Sequence, residues 1–164
     1  MYEKHFSVWT RWCDRDECVG LDQPGVYAIA LRPSQTAKRR FSWSKDIVYI
    51  GMTNSLGGLA ARLRQFDRTM AGKLSHGGAD RMLFEHPNYS RFSRQAYVAV
   101  APFKCDPGSR LPGDLRVMGD VARFEFLCFA EFAAKFGDLP AFNRPSAEKS
   151  SRAKRAAASA RGVS

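Results

Sequence analysis

The chain is expected to fold as an α+β domain. It reads as a small three-stranded, largely antiparallel sheet flanked by helices, with a basic flexible C-terminal tail. Three observations carry this. The runs GVYAIALR (Gly25–Arg32), IVYIG (Ile47–Gly51) and AYVAVAPF (Ala96–Phe103) are rich in strand formers and end at turn residues. GGLAARLRQF and Arg116–Phe136 repeat their apolar residues at helical spacing. The 164 residues are 45% hydrophobic and 12% aromatic, enough for one buried core.

In chain order, Met1–Val19 reads as a short helix carrying Phe6, Val8, Trp9 and Trp12. LDQPG is turn chemistry before the first strand. PSQTAKRRFSWSKD reads as a long polar hairpin connection with Lys38, Arg39 and Arg40 at its tip. IVYIG is the returning strand, broken by Gly51. The next helix puts Leu59, Leu63 and Phe66 on one stripe. HGGADRMLFEH suggests a short helix after a glycine turn, and CDPGSRLPGD is loop. The helix Arg116–Phe136 stops at GDLPAFNRP, with its glycine and prolines. SAEKSSRAKRAAASARGVS is polar, Ala/Ser-rich and basic, the composition of a disordered arm. The divisions expected are an N-terminal helical extension packed on the domain at 1–24, the main α+β domain at 25–145 and the tail at 146–164. There is no internal repeat.

Lys and Arg number 26 against 16 acidic residues, a net charge of +10. Arg144–Ser164 carries six of the bases and one acid, so the remainder of the chain is itself +5. A field of that sign favours polyanions, nucleic acid before anionic membrane. No sustained basic amphipathic helix supports the membrane alternative. The N-terminal residues have no apolar core of signal-peptide type, and no run reaches transmembrane length, so a cytoplasmic protein is expected. Cys13, Cys18, Cys105 and Cys128 lack zinc-finger spacing and read as reduced thiols.

Tyr27 and Tyr49 stand out, because a hairpin would bring these two phenols side by side. Met118, Ala122, Glu125, Phe129, Phe132 and Phe136 follow one helical stripe, which puts the Glu125 carboxylate in an apolar face. An acid there needs a cation, a metal or a strong donor. Glu131 has Lys135 four residues on, an ordinary exposed pair.

GVY followed by VYIG, a helical arginine, a glutamate on a later helix and a closing asparagine in LPAFN resembles the GIY-YIG nuclease superfamily. The resemblance spans roughly Gly25 to Asn143. It implies a three-stranded antiparallel sheet between helices, and phosphodiester hydrolysis with one divalent metal, Mg²⁺ or Mn²⁺. By position it implies catalytic roles for Tyr27, Tyr49, Arg62, Glu125 and Asn143, with Glu125 as metal ligand. On this reading Tyr27 deprotonates the attacking water and Tyr49 orients it. Arg62 neutralises the phosphate, and Asn143 pins the loop after the last helix.

The chain departs from the family pattern in three places. An additional Gly-Gly lengthens the segment before Arg62 and leaves Arg64 as a rival. Phe66 stands where several members carry histidine, a job that His76 or Lys73 would take. Glu125 lies 18 residues before Asn143 and Glu131 only 12, which keeps Glu131 as a rival metal ligand. Lys38, Arg39, Arg40, Arg64, Lys73, His76 and Arg81 are the expected nucleic-acid contacts, with double-stranded DNA as the expected partner. A structure-specific or RNA nuclease and a catalytically silent nucleic-acid-binding module are the alternatives. Cutting both strands with one site per chain would favour a homodimer or a targeting partner.

Overall fold

The computed structural model describes residues 5–32, 38–73 and 77–144. Its elements are β1 (Thr10–Arg11), a 3₁₀ helix (Trp12–Glu17), β2 (Gly25–Leu31), β3 (Ile47–Thr53) and α1 (Gly58–Met70), followed by α2 (Gly77–Glu85), α3 (Tyr89–Gln95), β4 (Ala96–Pro102) and α4 (Pro112–Phe136). The strands form one sheet in the order β1-β4-β2-β3, and every pairing is antiparallel.

The sheet has four strands, not the three expected. The addition is β1, which pairs Thr10 with Val98 and Arg11 with Tyr97 on the outer edge of β4. Trp9 and Trp12 explain why this segment is not the helix that their spacing suggested. In a helix, residues three apart share a face. Here Trp9 is buried in the core on one side of the sheet and Trp12 in the core on the other, both 0% exposed. Crossing the sheet edge satisfies two large rings that one helical face would have crowded together.

The two faces carry separate cores. Tyr27, Ile29 and Tyr49 meet Leu59, Leu63, Phe66 and Met70 of α1, with Met82 of α2 and Phe92 of α3. Val26, Ala28 and Ile50 meet Val121, Cys128 and Phe132 of α4. The α1 stripe therefore lies as its spacing predicted. The α4 stripe is rotated: its buried line is Val121, Cys128 and Phe132, and Glu125 sits on the flank, half-buried. The helix also begins earlier than its apolar pattern, because Pro112 supplies a helix-compatible start. The helix α3 was not anticipated; Asn88 caps it by accepting from the Arg91 N–H at 2.9 Å.

The additional Gly-Gly has a structural role. Gly58 has φ +58°, and a Cβ there would lie 2.6 Å from the Asp22 carbonyl oxygen. This close approach lets the Leu59 and Ala60 N–H groups donate to the carbonyls of Gln23 and Leu21. The LDQPG turn thus caps α1 and holds Arg62 at a fixed height over the sheet. The basic tail at 146–164 lies outside the described residues.

Candidate functional site

The site forms where α1 and α4 both pack on β3, the edge strand. Tyr27 lies opposite Gly51, and Tyr49 opposite Ile29. The tyrosines are therefore diagonal neighbours rather than directly opposed, with ring centroids 6.0 Å apart. Phe66 floors both rings, 5.5 Å from Tyr49 and 6.5 Å from Tyr27. The residue in the expected histidine position is thus a core residue and closes the site from below.

Gly51 was expected to end its strand. It lies inside β3, which runs on to Thr53. A Cβ on Gly51 would sit 2.7 Å from the Tyr27 hydroxyl oxygen and 2.8 Å from Cζ. The glycine is there to let the Tyr27 ring lie across the neighbouring strand.

Burial ranks the two phenols. Tyr27 is 0% exposed and Tyr49 8%. Burial, reinforced by Tyr49, holds the Tyr27 phenol well above the ordinary tyrosine range, and Arg62 pulls the other way. Burial also raises Tyr49, but Arg62, the Tyr27 hydroxyl and Arg81 all act to favour its phenolate; only Glu125 opposes them. The Tyr27 Oη has no hydrogen-bond partner among the described residues. Full burial therefore counts against the expected role of Tyr27 as the base that meets water.

Arg62 reaches the cleft from the first turns of α1. Its Nη1 donates to Gln65 Oε1 at 3.1 Å, while its Nε is buried without a partner. Its charge acts on Tyr27, Tyr49 and Glu125 together. Arg64, its rival, is exposed on a different side of α1. Arg81 of α2 is the second guanidinium at Tyr49; its Nη1 donates to the Arg144 carbonyl at 2.9 Å, and its Nε is likewise buried and unpartnered. Sequence spacing suggested only a phosphate contact for Arg81, because its place beside Tyr49 depends on how α2 packs against α1.

Glu125 faces the same cleft. Burial raises its carboxyl above the ordinary range and Arg62 lowers it. It makes no hydrogen bond or ion pair within the described residues. Glu131 is exposed and bonded to Lys135 at 3.1 Å, the surface pair that its spacing predicted. No group of three or more His, Cys, Asp or Glu gathers among the described residues. A cation here would have one carboxylate as its protein ligand. That fits Mg²⁺, which keeps several of its waters. The half-buried, unpartnered oxygens of Glu125 are the hard donors such an ion takes.

Asn143 clamps the strand that carries Tyr49. Its Oδ1 accepts from the Ile50 N–H at 2.8 Å, and its Nδ2 donates to the Ile50 carbonyl at 2.7 Å. Phe142 N–H adds a bond to Val48 O at 2.9 Å. The segment caps the open edge of β3 on either side of Tyr49, which is a positioning role. Asn54 was not anticipated. It donates to the Met118 carbonyl at 3.0 Å, tying the end of β3 to α4 two turns before Glu125. Its place just after a strand reads locally as an ordinary turn.

The remaining basic candidates lie apart. Lys73 is exposed beyond α1. Lys38, Arg39 and Arg40 are not a free hairpin tip: Trp9 N–H donates to Arg39 O, and Lys38 N–H to Trp9 O. Trp9 belongs to the core on the other sheet face. His76 lies outside the described residues. Comparison with protein-family models, with curated proteins and with solved structures finds no match to this chain.

Proposed function

We propose that this protein is a metal-dependent endonuclease of the GIY-YIG type that hydrolyses phosphodiester bonds in double-stranded DNA. One observation carries the reading. A single guanidinium, Arg62, acts on two neighbouring phenols, their rings tilted with centroids 6.0 Å apart, and on an unpartnered carboxylate, all supplied by three other elements. The cluster keeps unpartnered donors on Arg62 and Arg81 and free acceptors on Glu125, which a phosphodiester with its cation would complement.

Glu125 would hold the divalent ion, Mg²⁺ or Mn²⁺, which when bound supplies a Lewis acid for a phosphate oxygen and lowers the pKa of water. Arg62 and Arg81 bind the non-bridging phosphate oxygens and offset the charge that builds there as water attacks phosphorus. The base falls to Tyr49 rather than Tyr27. It is the less buried of the two phenols, and although burial still raises it, two guanidinium groups pull it back towards its phenolate. Tyr27 stands behind it as a neutral phenol whose hydroxyl, unpartnered among the described residues, is free to donate to the Tyr49 oxygen as the proton moves. Tyr49 first gives its own proton to solvent. Water's oxygen then joins phosphorus, water's proton passes to the Tyr49 phenolate, the bond to the leaving oxygen breaks, and that oxygen takes a proton from solvent.

The test is supercoiled plasmid incubated with Mg²⁺, Mn²⁺ or EDTA. Wild-type protein should nick or linearise it only with metal, and Glu125→Gln and Tyr49→Phe should lose at least a hundredfold in rate while keeping the wild-type melting temperature. Tyr27→Phe, losing a hydrogen bond rather than the base, should lose less than Tyr49→Phe. Full activity in Glu125→Gln with loss in Glu131→Gln would move the metal to the other glutamate. Folded protein that retains DNA but never cuts it would leave the binding-module alternative.

A further inference from the structure

On the sheet face away from the tyrosines, α4, the segment before β3 and the segment before β1 line a second, half-open pocket of about 330 Å³. Its walls include Phe6, Phe41, Trp43, Phe124, Cys128 and Glu131. The aromatic rings pack on one another: Phe6 stacks on Phe41 at 4.2 Å, and Trp43 meets Phe41 edge-on at 5.1 Å. Trp43 is only half-buried.

We propose that this pocket stacks a nucleobase of a single-stranded or locally unpaired nucleic-acid strand. Three further observations select that occupant. Lys38, Arg39 and Arg40 are exposed and run directly into Phe41. The backbone of Lys38 and Arg39 is bonded to Trp9, whose ring stacks on Phe41 at 5.2 Å, so this basic stretch is anchored beside the pocket wall. Cations along a backbone path beside aromatic faces are the means by which proteins hold single strands without reading sequence. The volume is at the small end of ligand pockets, ~300–1,000 Å³, with room for a planar base and not for a folded partner's side-chain cluster. The single acid in the wall, Glu131, is already paired with Lys135 at 3.1 Å and leaves little net repulsion for an anionic strand. The inference rests on the nuclease reading only in supposing that the chain meets nucleic acid.

The protein carries its own reporter. Of its three tryptophans, Trp9 and Trp12 are fully buried, so a base stacking from solvent would quench Trp43. The measurement is tryptophan fluorescence and strand anisotropy of the wild-type chain in EDTA, with a labelled 12-nucleotide single strand and with the same backbone made abasic. Stacking predicts saturable quenching by the base-bearing strand, with the midpoint of the anisotropy curve, and little quenching by the abasic one. Trp43→Leu should bind roughly tenfold more weakly, and Trp43→Phe near wild type.

Binding of the base-bearing strand without quenching, equal quenching by the abasic strand, or no binding would each overturn the proposal. So would a fluorescence change that follows protein concentration without DNA, which would mean that a second copy covers the pocket. The strand comparison on wild-type protein decides the matter even if Trp43→Leu fails to fold. Plasmid nicking scored in parallel separates the two readings: quenching without nicking removes the nuclease and keeps the pocket, and nicking without quenching does the reverse.

Discussion

A methyl group at position 51 would lie 2.7 Å from the Tyr27 hydroxyl oxygen and 2.9 Å from a Tyr49 ring carbon. Neither ring can retreat, because Phe66 backs both. Gly51→Ala should therefore cost about 1–3 kcal/mol in denaturant unfolding and should cut plasmid nicking at least tenfold by splaying the tyrosine pair. A variant of unchanged stability and activity would show that the rings are less confined than the packing indicates. The phenols also set an alkaline limit. Tyr89 is raised to about 12, by burial and by its bond to the Asp67 carboxylate, and Tyr27 is raised well above the ordinary value of 10.0. Unfolded tyrosines ionise near 10, so above that pH the folded state holds protons that the unfolded state has lost. Stability from these groups is fully present below pH 10 and falls as pH rises through 12. Melting temperatures between pH 8 and 12 should show this decline, and Tyr89→Phe should decline less steeply from its own lower baseline.

At the level of elements, the device that orders the domain around the site is Asp67. Its Oδ1 accepts from Trp12 Nε1 and from Tyr89 Oη, both at 2.7 Å, and its Oδ2 pairs with Arg15 at 3.1 Å. One carboxylate on α1 thus joins the 3₁₀ helix, α1 and α3. The Arg15 and Asp67 side chains are only 15% and 18% exposed, so removing one partner leaves a poorly solvated charge. Asp67→Ala should cost about 3 kcal/mol and should loosen α1, the carrier of Arg62; a loss under ~1 kcal/mol would make this a surface pair. Nothing near position 67 announces this role, since its partners stand 55 and 22 residues away. The same holds for Asn54, whose partner is 64 residues on. Local signals did reveal β2, β4, α1 and the body of α4, because strand alternation and helical period are written within each run. They misread Trp9 and Trp12, whose helical spacing is also what a strand crossing a sheet edge produces. Four of the site's side chains, Tyr27, Tyr49, Arg62 and Glu125, were legible as types in order. Their relative depth was not: the burial that favours Tyr49 over Tyr27 arises from Phe66 and α1 packing over the hairpin.

Across the whole molecule, charge and fold divide the work. Among the described residues no helix is long and apolar enough to cross a membrane. The body and the C-terminal segment share the net charge, and residues 146–164 alone carry five bases and one acid. Each base that contacts a phosphate releases counterions and adds about 0.9 to the slope of log K against log salt on duplex DNA. If all five make contact, removal of 146–164 should flatten that slope by about 4.5, and affinity should fall most at low salt, where the field reaches furthest. The chemistry should be untouched, because Arg62, Arg81, Glu125 and the two tyrosines all precede the cut; at saturating protein, nicking by the shortened chain should match wild type. A slope unchanged by truncation would assign the phosphate contacts to the body, to Arg62, Arg81 and the Lys38–Arg40 stretch. Loss of nicking at saturation would instead mean that the segment takes part in the reacting complex.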